Sequence, residues 1–170
     1  MREVALGRAS AFPDPGRRVV DVDGIEVGVF CRNGRFTAFE NVCPHMGGPV
    51  CQGKIIARVK ELIAQDKTSM GLSFSQDHTN IVCPWHGYEF DIGTGQNQGN
   101  PRMRLRPAKI EVVDGELMLT LPEGTRQRIA RRRSAAWARA WSRIGRLHST
   151  RAAASARVVS ERRPSASAAV

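Results

Sequence analysis

Two segments, CPHMGGPV at residues 43–50 and CPWHGYEFDIGTG at residues 83–95, carry the residues that decide how this sequence is interpreted. Each begins with a chelating pair, Cys43 with His45 in the first and Cys83 with His86 in the second. Thiolates and imidazoles are good ligands for iron and zinc. Glycines follow each pair, and they allow backbone N–H groups to approach the sulfur atoms of a bound cluster. The pattern therefore predicts a metal centre held between two opposed loops.

The sequence on either side of these segments predicts antiparallel β-structure. Short runs with β-branched and alternating apolar residues are separated by Asp-Gly or Asn-Gly pairs. Such pairs supply the positive φ angles of tight hairpin turns. The runs are residues 18–23, 25–30, 35–39, 108–113 and 116–121, and the pairs begin at Asp23, Asn33 and Asp114. The two Cys-His segments are then loops presented by an all-β scaffold.

Residues 54–80, between the two Cys-His segments, interrupt the β pattern. Apolar residues recur there at three- and four-residue spacing, which is typical of an amphipathic helix. They are Ile55, Ile56, Val59, Leu62 and Ile63. We therefore expect a short helical insert that packs its apolar stripe against the body. A polar, irregular loop from Asp66 to Asn80 is expected to follow it.

The basic charge of the chain is concentrated at its C-terminal end. The formal net charge is +10, yet residues 1–122 contain 14 basic and 14 acidic residues. Residues 123–170 contain 12 arginines and 2 glutamates. We therefore divide the chain into a neutral body, residues 1–122, and a basic tail, residues 123–170.

The tail predicts a basic helix from Arg126 to Leu147 and a disordered end from Ser149. The helix would place Trp137, Trp141, Ile144 and His148 on one stripe. Tryptophan beside arginine suits an anionic membrane surface or an acidic groove on a partner. The alternative is a solvated extension without a specific role. No specific nucleic-acid binding is expected, since arginines alone give only salt-sensitive affinity.

The location predicted from the sequence is the cytoplasm. The N-terminal residues lack the apolar stretch of a secretory signal, and no window resembles a membrane-spanning helix. In a reducing compartment, four cysteines indicate metal binding or burial rather than disulfides. Cys31 and Cys51 lack a chelating neighbour, so we expect them to be small buried residues.

The two Cys-His segments resemble the cluster loops of Rieske proteins, and the resemblance extends over roughly residues 2–122. It implies an antiparallel β-sandwich with a small cluster-binding subdomain and one 2Fe-2S cluster per chain. By position, Cys43 and Cys83 would bind one iron, and His45 and His86 the other. A structural Cys2His2 zinc site uses the same ligand types and is the alternative. Gly99-Asn100-Pro101 resembles the proline loop that shields the cluster in this family.

Details of the two loops indicate a branch of the family. Respiratory members carry a second cysteine in each loop, and these cysteines form a disulfide. The equivalent positions here are Gly48 and Trp85. The loops therefore resemble those of the ferredoxins that serve oxygenases. Hydroxyl donors of respiratory members correspond to Tyr88 and Phe90, and because Phe90 has no hydroxyl we expect a lower reduction potential.

The function that the resemblance implies is transport of single electrons between a flavin-dependent reductase and a terminal oxygenase. Such a protein is an electron-transfer component of an oxidoreductase system and has no catalytic residues of its own. Two other functions remain open: the small Rieske subunit of a nitrite-reductase-like complex, and a regulator that senses redox state or cluster content. A catalytic oxygenase subunit is not expected, because it requires a mononuclear iron site in a further large domain.

Overall fold

Antiparallel β-strands form most of the regular structure in the part of the chain that is described. The computed structural model describes residues 1–125, 127–131, 133–135 and 138, and the predicted all-β fold is confirmed. Short 3-10 turns occupy Ala9–Ala11 and Val50–Gln52. The strands are β1 (Arg2–Arg8), β2 (Gly16–Val22), β3 (Ile25–Arg32), β4 (Arg35–Glu40), β5 (Lys54–Ile63), β6 (Ser69–Val82), β7 (Glu89–Asp91), β8 (Pro107–Val113) and β9 (Glu116–Leu121).

Tight turns form at the three Asx-Gly pairs singled out in the sequence. Both residues of every pair have positive φ, between 52° and 80°. Positive φ at both central residues is the conformation of a type I′ hairpin turn, which matches the right-handed twist of the flanking strands. The turns join β2 to β3, β3 to β4 and β8 to β9. These three predicted hairpins are confirmed.

The strands form two sheets that share a core. One sheet has the order β1-β9-β8-β4-β3-β2, and the other has the order β5-β6-β7. Because successive side chains of a strand point to opposite faces, β3 contributes to two apolar clusters. Val27 and Val29 lie in the first cluster, whereas Phe30 lies in the second with Ile81 and Phe90 of the smaller sheet. This second cluster also contains the cysteines of both Cys-His loops.

The prediction of a helix in residues 54–80 is wrong. Strands β5 and β6 pair along their length as a hairpin, so the region predicted to be an irregular loop is also a strand. The pairing register shifts twice, between Ala57 and Val59 and between Glu61 and Ile63. Such shifts interrupt the two-residue alternation of a strand and leave apolar residues at helix-like spacing. The four β-branched residues among the ten of β5 favour the strand.

The expected packing of this insert against the body is also wrong. Ile55, Val59 and Ile63 are exposed to 42%, 38% and 56%, respectively. Cross-strand neighbours point to the same face of a hairpin, and Val59 pairs with Phe74, which is itself exposed. The outer part of the hairpin therefore presents apolar side chains to solvent.

The basic tail begins with a helix. Residues 125, 127–131 and 133–135 are helical, and they belong to a compact unit that extends from Met1 to Ala136. Thr125 and Ile129 are buried in this unit. The predicted stripe of Trp137, Trp141, Ile144 and His148 lies outside the described residues, and the division of the chain at residue 122 stays a prediction. Within the described part, no helix is long and apolar enough to cross a membrane.

Candidate metal centre

The two Cys-His loops have the same pattern of backbone hydrogen bonds. In the first ligand loop, residues 43–48, the N–H of Cys43 donates to the oxygen of Gly48 at 2.8 Å. In the second ligand loop, residues 83–88, the N–H of Cys83 donates to the oxygen of Tyr88, also at 2.8 Å. Each cysteine oxygen also accepts from the glycine four residues later. The two loops thus present their cysteines in equivalent positions.

Glycine is required at the fifth position of each loop. Gly47 has a φ of 80° and Gly87 has a φ of 69°. Residues with a side chain rarely adopt these angles, because the Cβ atom then crowds the backbone. Each loop can therefore turn back tightly enough for its histidine and its cysteine to approach the opposite loop.

The loops bring the four predicted ligands together as two pairs. Cys43 and Cys83 are buried in the same apolar cluster. The rings of His45 and His86 lie 4.9 Å apart at 83°. His86 is exposed and His45 is half-buried, so the thiol pair lies inside and the imidazole pair lies towards solvent. Burial raises the pKa of the Cys43 thiol to about 12.

This donor set fits a centre with two metal atoms. A Rieske cluster takes two thiolates on one iron and two imidazoles on the other. A structural zinc ion would instead have all four donors around one atom. The assignment of Cys43, His45, Cys83 and His86 as ligands stays a prediction.

Aromatic side chains pack on the histidines. The ring of Tyr88 stacks on His45 at 4.2 Å, with 29° between the ring planes. The ring centroids of Trp85 and His86 lie 6.3 Å apart, with 80° between the ring planes. The sequence singled out Tyr88 only for its hydroxyl, and it gave Trp85 no packing role. The signal available in the sequence was that Trp85 directly precedes His86 and that Tyr88 follows it by two residues.

The segment that resembles a proline loop lies next to the second ligand loop. Gly99 and Asn100 line a cavity of about 480 Å³ together with His86 and Tyr88. Asn97, which the sequence analysis missed, fixes this segment. Its Oδ1 accepts from the N–H groups of Gly99 and Asn100 at 3.1 and 2.8 Å, and its Nδ2 donates to the oxygen of Glu89. An asparagine side chain that accepts from backbone N–H groups two and three residues later is typical of Asx turns, and Asn97 stands two residues before Gly99.

The other two cysteines are buried, as the sequence predicts. All four cysteines are free thiols. Cys51 is fully buried, and burial raises the pKa of its thiol to about 12. Cys31 lies in the other apolar cluster. His78 lies away from the ligand loops, with Nδ1 3.3 Å from Oδ2 of Asp91.

The family of the protein follows from a comparison that covers most of the body. The model of the Rieske [2Fe-2S] domain matches residues 2–114. The chain belongs to the Rieske family. Such a domain implies a Rieske-type 2Fe-2S cluster, whose role is electron transfer.

Several solved structures are similar to this chain. One is described as the small subunit of an NADH-dependent nitrite reductase from Mycobacterium tuberculosis; it is 15% identical, has a TM-score of 0.52 and covers 71% of this chain and 96% of its own. The ferredoxin of carbazole 1,9a-dioxygenase from Nocardioides aromaticivorans IC177 is 20% identical, with a TM-score of 0.49. The match covers 72% of this chain and 100% of that ferredoxin. A ferredoxin from Sphingomonas yanoikuyae B1 is 21% identical, with a TM-score of 0.48, and the match covers 71% of this chain and 100% of that ferredoxin.

Proposed function

We propose that this Rieske protein is a ferredoxin that carries single electrons from a flavin-dependent reductase to a terminal oxygenase in the cytoplasm. Cys43 and Cys83 would hold one iron of the cluster, and His45 and His86 would hold the other. The observation that carries the proposal is the position of the histidine pair. His86 is exposed beside the half-buried His45, so a docked protein can approach this side of the centre closely.

The residues around the pair support a role in transfer. When bound, the cluster accepts and gives up one electron at a time. Cys43 and Cys83 lie among buried apolar side chains, which keep water from the sulfur atoms. Tyr88 holds the imidazole of His45 by stacking, and exposed Trp85 lies at the surface next to His86. Electrons would therefore enter and leave at the face formed by His86 and Trp85.

Two features support the oxygenase-linked branch and the cytoplasm. Gly48 and Trp85 stand where respiratory members have their second cysteines, so the loops need no oxidising compartment. The cysteines are free thiols, which suits reducing conditions.

The first test is the composition of the purified protein. We expect about two iron atoms and two acid-labile sulfides per chain, together with the electron paramagnetic resonance of a reduced Rieske cluster. His45→Ala and His86→Ala should each abolish both, whereas Cys51→Ala, a buried cysteine outside the ligand set, should retain them. Bound zinc without sulfide would contradict the proposal.

The second test concerns the partner. The loaded protein should be reduced by an NADH-dependent flavoprotein reductase and should co-purify with a reductase or an oxygenase. Recovery of a nitrite reductase large subunit would favour the complex-bound alternative. Recovery of nucleic acid or a signalling protein would favour a regulator. Reduction that is equally fast after His86→Cys substitution with an intact centre would argue against the exposed histidine face.

A further inference from the structure

The helix that begins the basic tail contacts the connection between β4 and β5, and this connection contains the first ligand loop. The connection spans residues 41–53, and the helix comprises the helical residues 125–135 that the structure describes. One arginine of the helix contacts Glu40, just before the connection, and another contacts Gly47 in its middle. The second arginine also reaches the end of the connection indirectly, through other side chains.

The contact at the start is a buried ion pair. Arg128 donates a hydrogen bond from Nη2 to Oε1 of Glu40, the last residue of β4. The Glu40 side chain is only 3% exposed, and the Nε atom of Arg106 lies 3.8 Å from its other oxygen. A buried carboxylate requires such partners, because desolvation of an unpaired charge is costly. Arg128 therefore fixes the helix at the entrance to the connection.

The contact in the middle lies at the turn that carries His45. A Cβ atom on Gly47 would be 3.3 Å from Cγ and 3.7 Å from Cα of Arg133. The helix backbone thus lies against the backbone of Gly47, two residues after His45. Gly47 is buried and adopts positive φ, so this turn has little room to move outward.

The contact at the end passes through two further side chains. Nη2 of Arg133 lies 3.9 Å from Oε2 of Glu26, and the same oxygen accepts from Nδ2 of Asn41 at 3.2 Å. The Oδ1 atom of the fully buried Asn41 accepts from the N–H of Cys51 at 2.7 Å. A chain of polar contacts therefore links Arg133 to the far end of the connection.

We propose that the helix is a clamp on the first ligand loop and that Arg133 is a positioning residue for His45. The inference rests on the proposed function, because it takes His45 as a ligand. The ion pair of Arg133 with Glu26 is half-exposed, and such pairs contribute little to stability. Its effect lies instead in the geometry and the surroundings of the metal centre, to which the first helix of the basic tail contributes.

The test uses the full-length protein loaded with its cluster. Arg133→Ala and Glu26→Gln should both lower the midpoint potential, because the first removes the positive charge beside the first ligand loop and the second lets that charge move away from it. The expected change in the ratio of reduced to oxidised protein at a fixed applied potential is at least threefold, or about 28 mV at 59 mV per tenfold. The double variant should shift no further than either single variant. The Gly47 amide, which donates to Cys43 at 2.8 Å, should exchange its hydrogen at least threefold faster.

Two further variants serve as controls. Arg133→Lys keeps the positive charge, so its midpoint potential should lie close to that of the wild type. Arg131→Ala removes an exposed arginine of the same helix and should change neither the potential nor the exchange rate.

The outcomes separate the clamp from the proposed function. Opposite and additive shifts for Arg133→Ala and Glu26→Gln would overturn the clamp, because charges that act independently through space behave in this way. Full cluster content with unchanged potentials and exchange rates would also overturn it. Wild-type protein without iron and sulfide would overturn the proposed ligands, and the clamp with them.

Discussion

The indole of Trp85 lies directly over the backbone of Gly48, so that a Cβ atom on Gly48 would be 2.8 Å from Cδ2 and 2.9 Å from Cγ. Trp85 belongs to the second ligand loop and Gly48 to the first. These are the positions at which the resemblance to respiratory Rieske proteins places the cysteines of a disulfide. Packing of an aromatic ring on a glycine therefore joins the two loops where a covalent bond could have joined them.

This contact predicts that Gly48→Ala destabilises the cluster. The new methyl group would overlap the indole, so Trp85 must move and the loops must separate. We expect iron and sulfide to be lost several-fold faster, measured as the decay of visible absorbance at elevated temperature. Gly99→Ala is the matched control, because its Cβ atom would meet only Asn97 Oδ1 at an ordinary 3.8 Å. Equal decay rates for the two variants would contradict the prediction.

The sequence predicted what is encoded locally. Turns at Asp23, Asn33 and Asp114 need only the two residues that form them. The Cys-His loops likewise carry their chemistry in a few adjacent residues. The hairpin of β5 and β6 could not be predicted from apolar spacing, because its register shifts produce a helix-like pattern. The contacts of Trp85 with Gly48 and of Arg133 with Gly47 join distant segments, and no local pattern indicates them.

The exposed hairpin predicts that substitutions of two apolar residues of β6 differ greatly in their effect on stability. Phe74 is 62% exposed, whereas Ile81 is 0% exposed in the shared core. Phe74→Ser should change the free energy of unfolding by no more than about 0.5 kcal/mol. Ile81→Ala should lower it by about 2–5 kcal/mol, because it leaves a cavity. Denaturant unfolding measures both values, and a large loss for Phe74→Ser would indicate that the hairpin face is covered in solution.

The donors around the cluster predict a low midpoint potential within the Rieske range. Phe90 is fully buried among the apolar side chains that surround Cys43 and Cys83, and it has no hydroxyl to donate. Hydrogen bonds to the sulfur atoms favour the more negative, reduced state, so fewer donors lower the potential. We expect a value below about 0 mV within the range of about −150 to +300 mV. Voltammetry measures it, and Phe90→Tyr should raise it; a higher value in the wild type would reveal donors from the backbone.

Burial of Cys51 predicts a loss of stability at alkaline pH. The fold raises the pKa of this thiol from 9.0 to about 12 by desolvation. Below pH 9 the thiol is protonated in both the folded and the unfolded chain, so its contribution is complete. As the pH rises from 9 to 12, only the unfolded chain ionises, and the contribution is lost. Between pH 8 and pH 10 the wild type should lose about 1 kcal/mol more than Cys51→Ala, measured by urea unfolding. Equal losses would show that Cys51 ionises normally in the folded protein.

The buried pair of Arg128 with Glu40 determines where the tail can be removed. A chain that ends at Pro122 lacks the whole helix and leaves Glu40 with Arg106 alone. We expect it to be less stable by about 1.5–3 kcal/mol, which is typical for loss of a hydrogen bond to a charged group. A chain that ends at Ala136 keeps the first compact unit and should match the full-length protein in stability, cluster content and potential. Equal stability of both truncated chains would show that the helix contributes nothing to the body.

The chain that ends at Ala136 also tests the role of the distal tail. It lacks Trp137, Trp141 and the seven arginines beyond residue 136, which the sequence predicts to favour an anionic surface. Full-length protein should sediment with vesicles of phosphatidylserine and phosphatidylcholine, more strongly at low salt than at high salt, because screening weakens attraction between charges. The truncated chain should remain in the supernatant under both conditions.

A double variant of the full-length protein, Trp137→Ala with Trp141→Ala, should sediment less, and most clearly so at high salt. The charge of the tail remains in this variant, and only the apolar contribution is lost. Equal sedimentation of the truncated and the full-length chain would make the distal tail a solvated extension, and binding to neutral vesicles would exclude arginine as its cause.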